Sequence, residues 1–285
     1  MKSNQVVLFA FVALASTVPA YSSKRSFLHG GGGGYNDFNC KPSAEHPNPV
    51  IMLHGLGANA NVWSFMGPYF ALKGYCAFSM TYGRLPNIPL LGGLNDLISS
   101  AQEVSNFVDK VLASTGASKV DLLGHSEGST LTRVYLKYNN GVAKTGSLAA
   151  IGSNQYGSSF VGLTKLLETS NLKELVKDIL DPVCKSCPQL ATDSQLFQDL
   201  NRGQDAYPTI KYLMLVSKYD QVMTPYKNGF LKTKGPNVHN VVLQDLCPLD
   251  LSEHFLQLVD PIAFHAIDSF FSTGLAPTPG CLSLL

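Results

Sequence analysis

The stretch Lys119-Val120-Asp121-Leu122-Leu123-Gly124-His125-Ser126-Glu127-Gly128-Ser129 constrains this chain more than any other. Val120, Leu122 and Leu123 form a short apolar run of the kind a buried strand carries. From Ser129 to Tyr138 the positions Leu131, Val134, Tyr135 and Tyr138 recur at helical spacing. Between the two lies Gly124-His125-Ser126-Glu127-Gly128, a Gly-x-Ser-x-Gly pentapeptide. Strand, sharp turn and helix is the context in which this pentapeptide lifts a serine hydroxyl above a sheet edge. A side chain at either glycine would collide with the neighbouring strand or helix, and the serine takes a strained backbone conformation. The pentapeptide alone is a weak signal, because a Gly-Ser turn can join strand to helix with no chemistry attached. Its meaning rests on the rest of the chain.

Further strands are expected at residues 49–53, 74–80, 148–151, 210–217 and 238–244, which makes six with the serine strand. Asn61 to Lys73 carries Trp63, Phe65, Met66, Tyr69, Phe70 and Leu72 and reads as helix, interrupted at Pro68. Leu94 to Thr115 is a long amphipathic helix stopped by Gly116, and Asp260-Pro261 opens a last helix. Alternating strand and helix implies an α/β fold with a mostly parallel sheet and helices on both faces. Chemistry in such sheets collects at the carboxyl ends of the strands. Between Gly152 and Pro208 no strand is evident. Phe160 to Leu167 and Leu172 to Leu180 read there as two short amphipathic helices. They are either ordinary packing helices or a lid, at residues 153–205, with an apolar face for acyl chains.

Composition excludes several classes. Of 285 residues only 14% are charged and 45% are hydrophobic, with net charge +1, so neither disorder nor a nucleic-acid partner is indicated. Residues 1–20 read as a secretory signal peptide: Lys2, an apolar run from Val6 to Ala15, and Val18-Pro19-Ala20 before the cleavage point. Residues 21–39, with five glycines from Gly30 to Gly34, read as a flexible lead-in to a domain at 40–285. No later apolar run is long enough for a transmembrane span.

Six cysteines in an exported chain point to disulfides. Cys184-Lys185-Ser186-Cys187 lacks the second ligand pair a zinc site needs and the context of a redox motif, so a local bridge is expected. Proximity in the inferred topology pairs Cys40 with Cys76 and Cys247 with Cys281. No metal site or cofactor is expected.

A serine hydroxyl is a poor nucleophile until a histidine takes its proton and an acid orients that histidine. On an elbow of this kind the partners follow in the order serine, acid, histidine. Asp220 stands just beyond the run Tyr212 to Val216, and His254 follows the sixth strand. Asp245 and Asp250 are rival acids but fall late; His239 and His265 are rival histidines but fall inside a strand and a helix. The oxyanion formed on attack needs two backbone N–H groups. Glu127, after the serine, and Leu56, in the loop after His54-Gly55, are the candidates. His54 and His125 are expected to be structural.

Residues 49–57 (PVIMLHGLG), 74–83 (GYCAFSMTYG), 115–128 (TGASKVDLLGHSEG), 218–226 (KYDQVMTPY) and 240–254 (NVVLQDLCPLDLSEH) together resemble the class 2 lipase group of secreted α/β-hydrolases of actinobacteria and nematodes. The resemblance implies a compact α/β-hydrolase fold lacking the first two strands of larger hydrolases. It implies ester hydrolysis by Ser126, Asp220 and His254; the reading is a hydrolase of lipid or small-molecule esters, acylglycerols above all, with the apolar segment at 153–205 as the part that would make transient contact with a lipid interface. Glu127 is a departure, since Gln is more usual there. Only its backbone N–H is required, but a carboxylate beside the serine can disfavour anionic substrates or move the pH profile. Two rivals to a secreted ester hydrolase are an acyltransferase on the same triad and a non-catalytic binding protein on the same fold.

Overall fold

The apolar runs are strands because both faces of the sheet are covered. The computed structural model describes residues 33–159 and 184–281. Among them β1 (Gly34–Tyr35), β2 (Val50–Leu53), β3 (Cys76–Met80), β4 (Val120–His125), β5 (Thr145–Ile151), β6 (Lys211–Val216) and β7 (Val238–Val242) form one parallel sheet. The strand order is β1-β3-β2-β4-β5-β6-β7. Helices α1 (Met66–Leu72), α2 (Leu97–Thr115), α3 (Glu127–Tyr138), α4 (Gln195–Leu200), α5 (Leu243–Leu246) and α6 (Pro261–Thr273) cover it.

Successive strand residues serve two cores. Ile51, Leu53, Leu122, Leu148 and Met214 pack with α2, α3 and α4 on one face. Val50, Met52, Leu123, Ile151 and Leu215 pack with α1, α5 and α6 on the other. A parallel strand buried on both faces loses the alternation of an edge strand and reads as a continuous apolar run. Each such side chain contributes about 1.5–3 kcal/mol by leaving water.

The long helix is set by its ends. Asp96 accepts from Ser99 N–H at its start, and Gly116 at φ 79° closes it by donating to Leu112 O. Asp260 and Gly274 do the same for α6.

Four elements depart from the sequence reading: the strand expected at 238–244 ends at Val242, where α5 begins, and three others differ as follows. Gly34–Tyr35 belongs to the stretch read as a lead-in, yet it is a seventh strand, pairing with Cys76 and Ala77. Gly34 N–H donates to Tyr75 O at 3.1 Å, Asn36 N–H donates to Ala77 O at 2.8 Å, and a Cys40–Cys76 disulfide ties the segment down. Two residues are too few to show a period. Pro68 does not interrupt a helix: the break falls between a 3-10 turn at Ala60–Trp63 and α1, and Pro68 lies in the first turn of α1. Its missing N–H has no partner to lose there. The long helix starts at Leu97 rather than Leu94, because Asp96 caps it. The signal peptide, and the helices expected at residues 160–167 and 172–180, lie outside the described residues.

The disulfides are Cys40–Cys76, Cys184–Cys187 and Cys247–Cys281. The last ties the loop after α5 to the C-terminal tail, beside the Gly280 N–H to Leu246 O hydrogen bond of 2.9 Å. Replacing both Cys247 and Cys281 by Ala should lower stability by about 2–5 kcal/mol. Urea unfolding would measure it. An unchanged midpoint would mean that α6 packing alone holds the tail.

Candidate active site

The chain lays down β2, then β3 on one side of it, then β4 on the other. The direction of winding therefore reverses between β2 and β4, and a crevice opens beyond their carboxyl ends. Ser126 follows β4 directly, and His54-Gly55 follows β2.

Ser126 has φ 54° and ψ −122°, a region β-carbon-bearing residues rarely adopt. Its N–H donates to Ile151 O at 3.1 Å, and Ser129 Oγ donates to Ser126 O at 2.5 Å. Asn154 N–H in turn donates to Ser129 Oγ at 2.8 Å. The flanking glycines are required by space and not by φ. A Cβ on Gly124 would stand 2.5 Å from Ser129 Cα, and one on Gly128 would stand 2.5 Å from His54 O.

His254 Nδ1 lies 2.8 Å from Asp220 Oδ2, with both side chains almost wholly buried. The other carboxylate oxygen, Oδ1, accepts from Val222 N–H at 2.9 Å and Met223 N–H at 2.7 Å. Burial pushes the Asp220 carboxyl up, but the adjacent His254, its hydrogen bond and these two N–H groups together hold it below the ordinary range. An ionised Asp220 requires the proton on His254 Nδ1. Nε2 then keeps its lone pair.

Two other imidazoles support the loops. His125 Nε2–H donates to His254 O at 3.0 Å, and burial followed by the nearby His254 pushes its pKa down to about 3. His54 Nδ1–H donates to Gly55 O at 2.8 Å, and its Nε2 accepts from Tyr82 N–H at 3.4 Å. Burial pushes the His54 pKa down to about 4. Both rings are neutral at pH 7. His54, with both nitrogens committed to backbone, holds its loop.

The expected oxyanion donors, Leu56 in its loop and Glu127 at the start of α3, come together at glycines. A Cβ on Gly55 would lie 3.0 Å from Ser126 Cβ. One on Gly93 would lie 3.2 Å from Leu56 Cα and 2.6 Å from Glu127 Oε1. Gly57 N–H to Gly92 O, 3.0 Å, holds the Leu56 turn against residues 92–93.

A family model described as Lipase (class 2) matches residues 47–254. The chain belongs to the class 2 lipases. Among curated relatives, a triacylglycerol lipase of Pseudarthrobacter phenanthrenivorans is 27% identical over 177 residues, covering 58% of this chain and 50% of that protein. One from Burkholderia plantarii is 27% identical over 177 residues, covering 58% of this chain and 44% of that protein. The chain thus spans about half the length of the curated relatives it matches. Aspergillus fumigatus lipase B has the same fold, with a TM-score of 0.64 at 18% identity over 94% of this chain and 65% of that one.

In this class 2 lipase the rival groups are occupied elsewhere. Asp245 pairs with Lys218 at 2.8 Å on the surface, and Asp250 accepts from Ser252 N–H at 2.6 Å. His239 lies in β7 near Gly274 O, and His265 lies in α6. Sequence reasoning missed Gln257. Its Nε2 reaches Asp220 Oδ2 at 3.5 Å while its Oε1 accepts from Gly152 N–H at 2.8 Å, bridging the acid to the end of β5. It also missed Tyr82, whose hydroxyl lies 3.0 Å from Glu127 Oε1. Gln257 stands outside every stretch singled out in the sequence; Tyr82 stands within residues 74–83, but nothing local there tells that its hydroxyl faces Glu127.

Proposed function

We propose that this chain is an exported serine ester hydrolase that cleaves acylglycerols through an acyl-enzyme. The observation that carries the reading is the buried 2.8 Å contact of His254 Nδ1 with Asp220 Oδ2, at the sheet edge that carries Ser126. Ser126 Oγ attacks the ester carbonyl carbon while His254 Nε2 takes its proton. The oxyanion is met by the N–H groups of Leu56 and Glu127. Asp220 stabilises the imidazolium, which then protonates the departing alcohol. Water repeats the sequence and releases the acid. The acylglycerol substrate is carried over from the curated relatives, each named a triacylglycerol lipase. Export is supported by three disulfides. Among the described residues no helix is long and apolar enough to cross a membrane.

A fluorophosphonate probe and a series of p-nitrophenyl esters beside emulsified triacylglycerol test this. The expected result is stoichiometric labelling of Ser126 with turnover of both substrates. Labelling with turnover of soluble esters only would restrict the proposal to an esterase. No labelling and no turnover would leave a binding protein on a hydrolase fold.

A further inference from the structure

Glu127 is 1% exposed, beside the serine, and no Lys or Arg pairs with it among the described residues. A buried carboxylate needs donors. The neighbouring hydroxyls have already committed their protons. Tyr82 has one hydroxyl proton and two oxygens in reach, His54 O at 2.6 Å and Glu127 Oε1 at 3.0 Å. The carbonyl can only accept and is the closer, so it takes that proton and leaves Tyr82 an acceptor toward Glu127. Ser186, whose hydroxyl also faces the carboxyl, donates to Gly93 O at 2.6 Å. Glu127 Oε2 is buried with no hydrogen-bond partner. The carboxyl therefore stands among acceptors, and it must supply a proton itself.

We propose that Glu127 is held as a neutral carboxylic acid donating its proton to the Tyr82 hydroxyl, and that its ionisation sets the alkaline limit of turnover. This rests on Ser126 being the nucleophile. Glu127 is a positioning residue: its side chain acts on the reaction through its own N–H and through the loop of Leu56. A negative charge there opposes the oxyanion those N–H groups must hold. It also repels the lone pairs of Tyr82, which carries the His54 carbonyl and so the Leu56 turn.

Burial pushes the Glu127 carboxyl up from 4.5 to about 8; a downward pull from Tyr82 and Ser186 would need their hydroxyls to donate to a carboxylate, and the carbonyls of His54 and Gly93 take those protons instead. Tyr82, after β3, faces it directly; behind Tyr82 stand Glu103 on α2 and His54 after β2, with Arg84 near those two. His125, His254 and Asp220 lie around Ser126. His54 and His125 are already neutral by pH 6, and burial pushes the Glu103 carboxyl upward. The Tyr82 phenol is pushed upward.

The test compares pH profiles of kcat/KM for the wild type, Glu127→Gln and Tyr82→Phe. The wild type should fall about tenfold per pH unit above its alkaline limit, as one ionisation requires. Glu127→Gln should lose that limb, whatever its plateau rate. Tyr82→Phe removes the acceptor that favours the neutral acid, so its limb should move to lower pH. A shift to higher pH would mean that Tyr82 donates to a carboxylate, and would overturn the proposal. So would a Glu127→Gln profile superimposing on the wild type.

Two readouts need no turnover. At pH 7 the infrared difference between wild type and Glu127→Gln should contain a protonated-carboxyl C=O band, and a carboxylate pair instead would sink the idea. The fold binds this proton more tightly than the unfolded chain, so its contribution to stability falls as pH rises from about 4.5 to 8. The Tm of Glu127→Gln relative to wild type should climb across that window. If Ser126→Ala kept its activity, the functional reading would fail while the infrared result could still stand.

Discussion

Ser126→Ala should abolish fluorophosphonate labelling and reduce ester turnover on the order of 10⁶-fold, leaving the circular dichroism spectrum and Tm close to wild type. Asp220→Asn should cost on the order of 10⁴-fold, about 5.5 kcal/mol in the barrier. The reason lies in the second oxygen of Asp220. Oδ1 accepts two backbone N–H groups, from Val222 and Met223. An asparagine keeps its carbonyl there and must turn its NH₂ toward His254 Nδ1. Two donors then face each other, unless the imidazole moves its proton to Nε2. That tautomer cannot accept the serine proton. His254→Ala removes the base altogether and should lose at least as much. Near-normal turnover in Asp220→Asn, with Asp245→Asn or Asp250→Asn inactive, would move the acid elsewhere.

Gly128→Ala should be the most damaging single methyl group near the elbow, lowering stability by about 3 kcal/mol or more. Its Cβ would press on two backbone carbonyls, Leu53 O and His54 O, at the end of β2. Neither can turn aside as a side-chain tip could. Helix α3 would have to retreat from the sheet and take Ser126 with it. At about 2–4 °C per kcal/mol, Tm should drop by roughly 6–12 °C, with loss of activity. Gly116→Ala is the control. That glycine sits at φ 79° with nothing within 4 Å of its missing Cβ, so it meets only backbone strain of about 1 kcal/mol. Equal effects at the two sites would mean that close approach is not what excludes a side chain at Gly128.

Much of the molecule was legible because its signals are local. Six strands stood out as apolar runs, since parallel strands covered on both faces need apolar residues at every position. The elbow announced itself because a tight strand-to-helix turn demands Gly124 and Gly128 at fixed spacing around Ser126. Chain order singled out Asp220 and His254, and the fold does bring the two side chains together, because right-handed crossovers bring strand ends to one edge in a set sequence. The cysteine pairs followed from the same inferred neighbourhoods.

The tertiary structure decided what depends on partners far along the chain. Gly34–Tyr35 became a strand only because β3 offered an open edge and Cys40 a tether, and two residues carry no period of their own. The Leu56 loop and the start of α3 at Glu127 converge at Gly93 through contacts between residues dozens of positions apart. Glu127 shows this most plainly. In the sequence it is an acidic residue where an amide is more usual. Burial and two hydroxyls already spent on backbone carbonyls leave it surrounded by acceptors. A carboxyl group takes its charge from its surroundings, and the fold alone supplies them.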